Sequence, residues 1–548
     1  MSEANNPNTI AAELYCFLKP HPADHSPKPL ILHMRKSTIL LLVALLATSL
    51  FSQSQSKNLT LLYTNDLHAH LEPQKLGWIS DTRLIGGFAN IATLVKEEKK
   101  KNPNTIYVDA GDFFTGPYIS SLTKGEAIID VLNNLSLDIA CIGNHEFDHG
   151  WQNVPKQFKK AKFPIVNGNI FIKSNNKLIW DNPYKIIVVN GIRIGIIGLH
   201  GKFAFYDTTS EEMVRGVECR DEEEYLKKYV AALKNKTDII LLLVHEGIPG
   251  RQSSTGSADV ARNLQKDIEL AQRVPGIDIL VTGHAHQGTK EALISNGTII
   301  VSTDALGMEL GKLELSYDPT TDKITSFKNT LDYIFDDEVK DDSLTLNAIN
   351  KWKEKLKNIT EQKVCTIPSP ITRSYGEESP MGNMVSDAIL NGFQGIDMVL
   401  TNSGGYRDDI PEGQVTIGSL ISAFPFPNTV VICDLKGSDI KKLLEHGASL
   451  TNGILQVSKG MKVVYDEKKP IGNRIVSAAL NNKQIDDNKI YKVATSNFVA
   501  DGGDGYTEFK NASLIKRTGI EILETMTKYL KSKPTYTPFT EGRIVALK

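Results

Sequence analysis

Cysteine is scarce in this sequence, and its spacing excludes two kinds of site. Five of the 548 residues are Cys, and none belongs to a Cys-x-x-Cys pair. This excludes a thiolate zinc cluster and a thioredoxin-like redox site. Of the four that follow residue 56, Cys141 lies within an apolar run, so we expect it in the core. The spacing predicts no particular disulfide.

An excess of positive charge is also missing. Lys and Arg number 62 against 64 Asp and Glu, which gives a formal net charge of −2. Binding to the phosphate backbone of a nucleic acid polymer needs a large positive excess, so such a polymer is not an expected partner. Charged residues make up 23% and hydrophobic residues 41%, close to globular averages. The length is typical of two to four domains.

No hydrophobic run is long enough to span a bilayer comfortably. The longest covers residues 39–50, follows Met34-Arg35-Lys36 and precedes a small-residue tract. This order of basic, apolar and small residues is typical of a secretory signal, which we assign to residues 34–56. Residues 1–33 are then a non-native or misassigned extension. We therefore expect a periplasmic or secreted protein, monomeric and without stable membrane insertion after signal cleavage.

Short apolar runs rich in β-branched residues alternate with helical patterns up to about residue 333. The runs cover residues 59–63, 105–108, 139–142, 194–199, 239–244 and 279–281. This alternation predicts an α/β domain whose strands are buried on both faces. We place this domain at residues 58–335.

An amphipathic helix follows the α/β domain. Ile349, Trp352, Leu356 and Ile359 recur at three- and four-residue steps among lysines. The pattern predicts a helix over residues 343–360 that joins two domains. A mixed α and β pattern resumes after it, so residues 361–548 form the second predicted domain.

Five of the apolar runs end in residues that can bind metals. These residues are Asp66 and His68, Asp109 and Asp112, Asn144 and His145, His245, and finally His284 and His286. Polar residues often terminate strands, which explains one or two such ends but not five. Because the carboxyl ends of parallel strands open onto one crevice, these side chains can converge. Carboxylate, amide and imidazole ligands suit Zn, Mn, Co or Fe. Paired ions need a bridging carboxylate, for which Asp112 is the candidate.

With these motifs, the chain resembles the calcineurin-like metallophosphoesterases and, more closely, the exported 5′-nucleotidase family. The resemblance runs from Leu59 nearly to the C-terminus. It implies a four-layer α/β/β/α sandwich that a helix joins to a smaller mixed α+β substrate-binding domain. It implies two divalent metal ions, one held by Asp66, His68, Asp112 and His286, the other by Asp112, Asn144, His245 and His284.

The same resemblance implies a catalytic dyad, His145 and Asp148, within the Gly143–Asp148 motif. An imidazolium there can stabilise developing charge or protonate the leaving oxygen. The alternative for Asp148 is a local hydrogen bond at a helix start. We expect His70 to support the first metal loop without binding metal.

Three segments of the second domain can recognise a nucleoside: residues 401–407, 424–428 and 497–506. Two aromatic residues on separate loops can enclose a planar base, and a carboxylate can accept both ribose hydroxyls. Single phenylalanines are more often core residues, so the assignment depends on the family resemblance. It implies base stacking by Phe426 and Phe498, a ribose contact by Asp504, polar contacts by Asn402 and Asn428, and a phosphate contact by Arg407. The stretch 378–383 is similar to another family motif. The resemblance implies a substrate-binding arginine upstream of it, for which Arg373 is the nearest candidate, although Tyr375 occupies the expected neighbourhood.

The predicted function is metal-dependent hydrolysis of nucleoside 5′-monophosphates, with nucleotide sugars or diphosphates as further substrates. A 2′,3′-cyclic nucleotide 2′-phosphodiesterase with 3′-nucleotidase activity is the nearest alternative on the same architecture. A nucleoside-binding module that has lost catalysis is the alternative from another class.

Overall fold

The computed structural model describes residues 56–249, 257–450 and 453–547. The predicted extension and residues 34–55 of the predicted signal peptide lie outside these ranges. Within them, no helix combines the length and the apolar character that a membrane span requires.

Two six-stranded sheets form the first half of the described chain. In sheet order, the first sheet contains Lys323–Tyr333, Glu309–Asp318, Lys57–Thr64, Thr105–Asp109, Ile139–Cys141 and Ile165–Val166. The second sheet contains Leu293–Ser295, Thr298–Val301, Ile279–His284, Ile239–Glu246, Ile192–His200 and Tyr184–Val189. All six apolar runs predicted as strands are confirmed.

The first half has four layers. Along the strand Lys57–Thr64, Leu61 and Tyr63 pack into the core between the sheets, whereas Leu62 faces the helices outside. Helices Phe88–Lys101, Tyr118–Thr123, Glu126–Leu132 and Asn153–Phe158 accompany the first sheet. Helices Glu222–Leu233 and Gln265–Arg273 cover the second. The predicted α/β/β/α sandwich is therefore confirmed.

Parallel pairing brings the polar strand ends together. Thr105–Asp109 pairs in parallel with Lys57–Thr64 and with Ile139–Cys141. In the second sheet, Ile239–Glu246 pairs in parallel with Ile279–His284. The carboxyl ends of neighbouring strands consequently lie at the same edge of each sheet.

The predicted linker helix spans Ser343–Thr360. It begins after Asp342, whose Oδ1 accepts a hydrogen bond from the backbone N–H of Thr345 at 2.9 Å. Trp352 is buried against the first half and donates its indole N–H to Asp130 at 2.9 Å. Ile359, predicted on the same apolar face, is 45% exposed, and Thr360 takes the last buried position of the helix instead.

The second half is built on a mixed five-stranded sheet with a helical layer on one face. In sheet order its strands are Leu455–Val457, Met398–Asn402, Ile490–Ser496, Thr429–Lys436 and Leu514–Glu521. Alternate residues of Thr429–Lys436 enter two separate hydrophobic cores. One core packs against helices Pro380–Gly392, Ile417–Ala423 and Ile522–Lys531. The other packs against helix Gly437–Ser449 and a four-stranded sheet of Lys483–Gln484, Ile475–Leu480, Met461–Asp466 and Ile544–Leu547.

Short elements complete the described chain. The remaining strands are Gln74–Lys75, Leu84–Ile85, Ile170–Ile172, Lys177–Leu178, Val217–Cys219, Lys363–Ile367 and Gly413–Thr416. The remaining helices are Lys202–Thr208, Glu211–Val214, Ser257–Asn263 and Asn497–Ala500. Single 3₁₀ turns span His145–Phe147, Ser403–Gly405, Gly503–Gly505 and Thr507–Asn511. The four described cysteines are free and buried, and Cys141 is fully enclosed, as expected.

Candidate functional site

Asp66, His68 and His286 form the first group of predicted metal ligands. Their ligand atoms all lie within 4.8 Å of one another. The Nε2 atoms of His68 and His286 are 2.9 Å apart. Oδ1 of Asp66 lies 3.9 Å from the first of these atoms and 3.8 Å from the second. The fold thus gathers three residues from two different sheets.

The second group contains Asp112, Asn144, His245 and His284. Oδ1 of Asn144 lies 3.0 Å from Nε2 of His245 and 2.9 Å from Nδ1 of His284. Oδ2 of Asp112 lies 3.1 Å from Nε2 of His245. All four side chains are buried. The structure therefore brings together all seven predicted ligands in two adjoining groups.

Asp112 connects the two groups. Its Oδ1 accepts a hydrogen bond from the backbone N–H of His145 at 2.8 Å. Its Oδ2 is buried and lies 3.9 Å from His68 and 3.1 Å from His245, yet no described group forms an aligned hydrogen bond with it. A buried carboxylate oxygen without a hydrogen-bond partner needs a compensating interaction. With imidazoles on both sides, this oxygen fits a ligand shared by two divalent cations.

The ligand loops hold their residues in an uncommon backbone conformation. Asp66, His68, Asp112, His284 and His286 have φ angles of 53°, 44°, 63°, 75° and 52°. This left-handed region is unfavourable for residues other than Gly and persists where the surrounding structure enforces it. The loops therefore aim these five side chains in directions that a regular strand does not offer.

Gly143 is required by the neighbouring carboxylate. A Cβ atom at this position would lie 2.1 Å from Oδ1 of Asp112. No side chain fits at that distance. The glycine at the start of the Gly143–Asp148 motif therefore makes room for the residue that connects the two ligand groups.

Glu146 is a buried residue of the site that sequence reasoning missed. Its carboxylate accepts hydrogen bonds from the backbone N–H groups of Asp112, Phe113, Phe114 and Gly143, at 3.1, 2.8, 3.1 and 2.7 Å. Burial, followed by the charge of Asp112, raises its pKa to about 7. The side chain ties two ligand loops together. Its only sequence signal was its place within the Gly143–Asp148 motif.

Main-chain carbonyls orient two of the ligand histidines. Nδ1 of His68 lies 3.1 Å from the carbonyl oxygen of Thr115, and Nδ1 of His245 lies 2.9 Å from that of Ala110. Each contact fixes the ring and leaves Nε2 directed at the ligand group.

The predicted dyad is formed by a close contact. Nδ1 of His145 lies 2.7 Å from Oδ2 of Asp148, which also accepts a hydrogen bond from Thr115 Oγ1 at 2.5 Å. Burial alone lowers the pKa of His145, but the carboxylates of Asp148 and Asp112 outweigh it, so the pKa is raised above its usual value. Nε2 of His145 lies 4.0 Å from Oδ2 of Asp112. The imidazole is thus held beside the ligand groups and favoured in its charged form.

Two further histidines lie near the ligand groups. His70 is buried, and burial together with Arg373 and Arg407 lowers its pKa to about 3, so it is neutral. Sequence reasoning overlooked His200, whose ring centroid lies 5.4 Å from that of His245. Its Nδ1 lies 2.9 Å from the carbonyl of Gly201.

A cavity opens beside the dyad and receives residues from both halves of the chain. All seven predicted substrate residues line it: Arg373, Asn402, Arg407, Phe426, Asn428, Phe498 and Asp504. The first half contributes Thr208, Ser210 and Met213, which sequence reasoning did not identify.

Phe426 and Arg407 bring the second half next to the ligand groups. The ring centroid of Phe426 lies 5.8 Å from that of His145, with an angle of 34° between the planes. Nη2 of Arg407 lies 3.4 Å from Nε2 of His68, and its Cζ lies 5.8 Å from the centroid of Phe426. A planar aromatic surface, a guanidinium and the dyad consequently face one space.

Asp504 and Phe498 line the same cavity. Asn402 donates its side-chain N–H to Oδ2 of Asp504 at 2.8 Å. Burial raises the pKa of Asp504 to about 6, and the hydrogen bond from Asn402 opposes this shift. The ring of Phe498 lies where a Cβ atom of Gly503 would stand, 2.4 Å from its nearest atoms. The absence of a side chain at Gly503 therefore lets the aromatic ring pack against the loop.

Two protein-family models and several known 5′-nucleotidases match this chain. The model for the calcineurin-like phosphoesterase family matches residues 59–288, and the model for the 5′-nucleotidase C-terminal domain matches residues 358–511. A 5′-nucleotidase of Homo sapiens is 29% identical over 558 residues, which cover 92% of this chain and 93% of that protein. The snake venom 5′-nucleotidase of Naja atra is 28% identical over 549 residues, which cover 89% of this chain and 99% of that protein.

A solved structure resembles the described chain over most of its length. It is the crystal structure of a 5′-nucleotidase precursor from Thermus thermophilus, with a TM-score of 0.78 and 28% sequence identity. The match covers 89% of this chain and 99% of that chain. The two family models, the relatives and this structure agree with the geometry of the site. The chain belongs to the 5′-nucleotidase family of metal-dependent phosphoric monoester hydrolases.

Proposed function

We propose that this protein hydrolyses nucleoside 5′-monophosphates to a nucleoside and inorganic phosphate. One observation carries the proposal: the dyad residue His145 and the aromatic residue Phe426 lie 5.8 Å apart across one cavity. That cavity joins a ligand set for metals to a surface for a planar base. A simple phosphatase does not need the aromatic surface, and a nucleoside carrier does not need the ligand set.

Two divalent cations are proposed as cofactors, drawn from Zn, Mn, Co and Fe. Asp66, His68, Asp112 and His286 would hold one, and Asp112, Asn144, His245 and His284 would hold the other. The Oδ2 atom of Asp112, which is buried and forms no aligned hydrogen bond, supports the shared position. Bound divalent cations neutralise phosphate oxygens and lower the pKa of a water, which can then lose a proton and attack phosphorus at neutral pH.

The other site residues bind the substrate and move its proton. We propose that Arg407 binds the phosphoryl oxygens, because a guanidinium presents paired donors to such a group. His145, charged through Asp148, would donate its proton to the leaving 5′-oxygen.

The nucleoside would be held by the second half. Phe426 and Phe498 would stack on the base, and Asp504 would accept hydrogen bonds from the ribose hydroxyls. Asn402 orients this carboxylate through its 2.8 Å hydrogen bond. Asn428 would add a polar contact with the base.

The test is an assay of released phosphate with AMP, GMP, CMP and UMP, after chelation and after addition of Mn, Co, Zn or Fe. We expect turnover of the four nucleotides, loss on chelation and recovery with metal. Turnover that persists after exhaustive chelation would contradict the proposal. Uridine 2′,3′-cyclic phosphate hydrolysed faster than AMP would favour the cyclic phosphodiesterase, and binding without any turnover would favour the nucleoside-binding module.

Several finer assignments belong to the same proposal. Nucleotide sugars and nucleoside diphosphates would be slower substrates. The protein would act outside the cytoplasm, in the periplasm or after secretion, as a monomer. The basic, apolar and small-residue order over residues 34–56 supports export.

A further inference from the structure

The guanidinium of Arg373 is directed at the main chain that carries Arg407. Its Nη1 donates to the carbonyl oxygen of Arg407 itself and lies 3.4 Å from that of Tyr406. Its Nε lies 3.7 Å from Oδ1 of Asp409. The side chain is 17% exposed. Arg373 therefore contacts three groups of one loop, and one of them is the carbonyl of the residue proposed to bind phosphate.

The loop around Arg407 is fixed on both sides. Its own backbone N–H donates to the carbonyl of Ala423 at 2.9 Å. Beyond it, Ile410 and Ile371 exchange two backbone hydrogen bonds of 3.1 and 2.8 Å. Asp409 accepts a further hydrogen bond from the backbone N–H of Arg373 at 2.9 Å. The hydrogen bond from Arg373 to the carbonyl oxygen of Arg407 adds a further restraint, next to the Cα atom from which the Arg407 side chain extends.

A fixed main chain at Arg407 matters because an arginine side chain loses much rotational freedom when it is held in one conformation. Ordering a long charged side chain costs conformational entropy, and a preorganised donor avoids part of that cost on binding. The Arg407 guanidinium reaches 3.4 Å from His68, at the edge of the first ligand group. A shift at its main chain would displace the point from which the guanidinium reaches that edge.

We propose that Arg373 is a positioning residue that holds Arg407 for the phosphoryl group and does not itself bind phosphate. This rests on the proposed function and replaces the direct substrate contact predicted from the sequence. The cavity has two described arginines and no described lysine in its wall. With Arg373 engaged by main-chain carbonyls, Arg407 is the guanidinium available to substrate. The protein therefore acts on monophosphates through one guanidinium, and a second phosphate gains no partner from Arg373.

A double-mutant cycle tests whether Arg373 acts through Arg407. The proteins are the full chain, Arg373→Ala, Arg407→Ala and the double variant, all loaded with Mn and assayed with p-nitrophenyl phosphate. We expect Arg373→Ala to lower kcat/KM about fivefold, as for the loss of one hydrogen bond to a carbonyl. Arg407→Ala should cost more, because it removes the guanidinium itself. In the double variant, loss of Arg373 should add less than about twofold, since residues acting as one unit are not additive. Independent, multiplying losses would overturn the proposal.

A comparison of AMP with ADP separates positioning from direct binding. If Arg373 only holds Arg407, Arg373→Ala lowers kcat/KM for the two nucleotides by the same factor. A loss at least about tenfold larger for ADP, the size expected for one lost charged contact, would show that Arg373 binds a second phosphate. If Arg373→Ala does not fold, Arg373→Lys enters the same cycle, because lysine keeps the charge but lacks the forked donors. Wild-type turnover of p-nitrophenyl phosphate without turnover of AMP would refute the nucleotidase function while leaving the cycle readable.

Discussion

Nδ1 of His145 lies 2.7 Å from Oδ2 of Asp148, and the ring centroid of the same imidazole lies 5.8 Å from that of Phe426. One ring therefore contacts the carboxylate that favours its charged form and the aromatic surface proposed for the base. In the proposed function, this arrangement would place the proton donor beside the leaving nucleoside.

The His145→Ala variant should lower kcat by about 10²- to 10⁴-fold, the range typical of a lost general acid or base. The metals should remain bound, because the imidazole is not among the seven proposed ligands. Kinetics together with elemental analysis of the purified variant checks both points. Loss of metal in parallel with activity would instead make His145 part of the metal site.

The Asp112→Ala variant should bind at most one metal ion per chain, because both ligand groups lose the carboxylate that connects them. Phosphate release should fall further than in any single-group variant. The measurement is metal content by elemental analysis beside turnover of AMP. Asp181→Ala, an exposed carboxylate away from the site, is the matched control and should match wild type. Two tightly held ions in Asp112→Ala would rule out the bridging role.

The Phe498→Ala variant should raise KM for AMP, with little change for p-nitrophenyl phosphate. The reason is that loss of a stacking ring removes about 1–3 kcal/mol per base, which a small aryl ester does not use to the same extent. Steady-state kinetics on the two substrates provides the comparison. Phe393→Ala, at a partly buried residue that packs against the core of the second half but lies outside the cavity, controls for general loosening. Equal losses on both substrates would contradict the stacking role.

Stability should depend on pH through Glu309, which lies 1% exposed in the first half. Burial, and then the charge of Asp304, raises its pKa to about 8. A carboxyl group with a raised pKa stabilises the fold fully below its unfolded pKa of about 4.5, and this stability is lost as pH rises through the folded pKa. The urea concentration at the unfolding midpoint should therefore decrease as the pH rises from about 5 to about 8.

The Glu309→Gln variant should flatten this decline, because an amide does not ionise. Glu314→Gln, on the same strand but exposed, should leave the decline unchanged. Urea titrations of the three proteins at several pH values decide the matter. An unaltered slope in Glu309→Gln would assign the pH dependence to other groups.

The sequence predicted the scaffold well because the scaffold depends on local patterns. The six buried strands appear as continuous apolar runs, and the linker helix has the predicted bounds because its apolar period and N-cap are local signals. The metal ligands could be found because each lies at or soon after the carboxyl end of a strand, where parallel pairing brings distant positions to one edge.

Contacts between distant segments were not predictable in the same way. Glu146 holds Phe113 and Phe114 through main-chain N–H groups, which carry no sequence signal. Arg373 binds carbonyl oxygens of a loop more than 30 residues away, so its partner is set by chain path and not by residue type. Ser210 lines the cavity only because of how the two halves pack together. No local sequence pattern predicts that packing.

The left-handed backbone at five ligand positions has a consequence for protein engineering. Transplanting Asp66, His68 and Asp112 onto the strand ends of another α/β scaffold would reproduce the ligand types and still misdirect their donors, because those strands end in extended backbone. The transferable unit is the whole turn, with the glycine that admits the carboxylate and the buried glutamate that fastens the loop. Copying these turns intact would transfer the arrangement of the ligand atoms. Copying only the residue types would give a polar sheet edge.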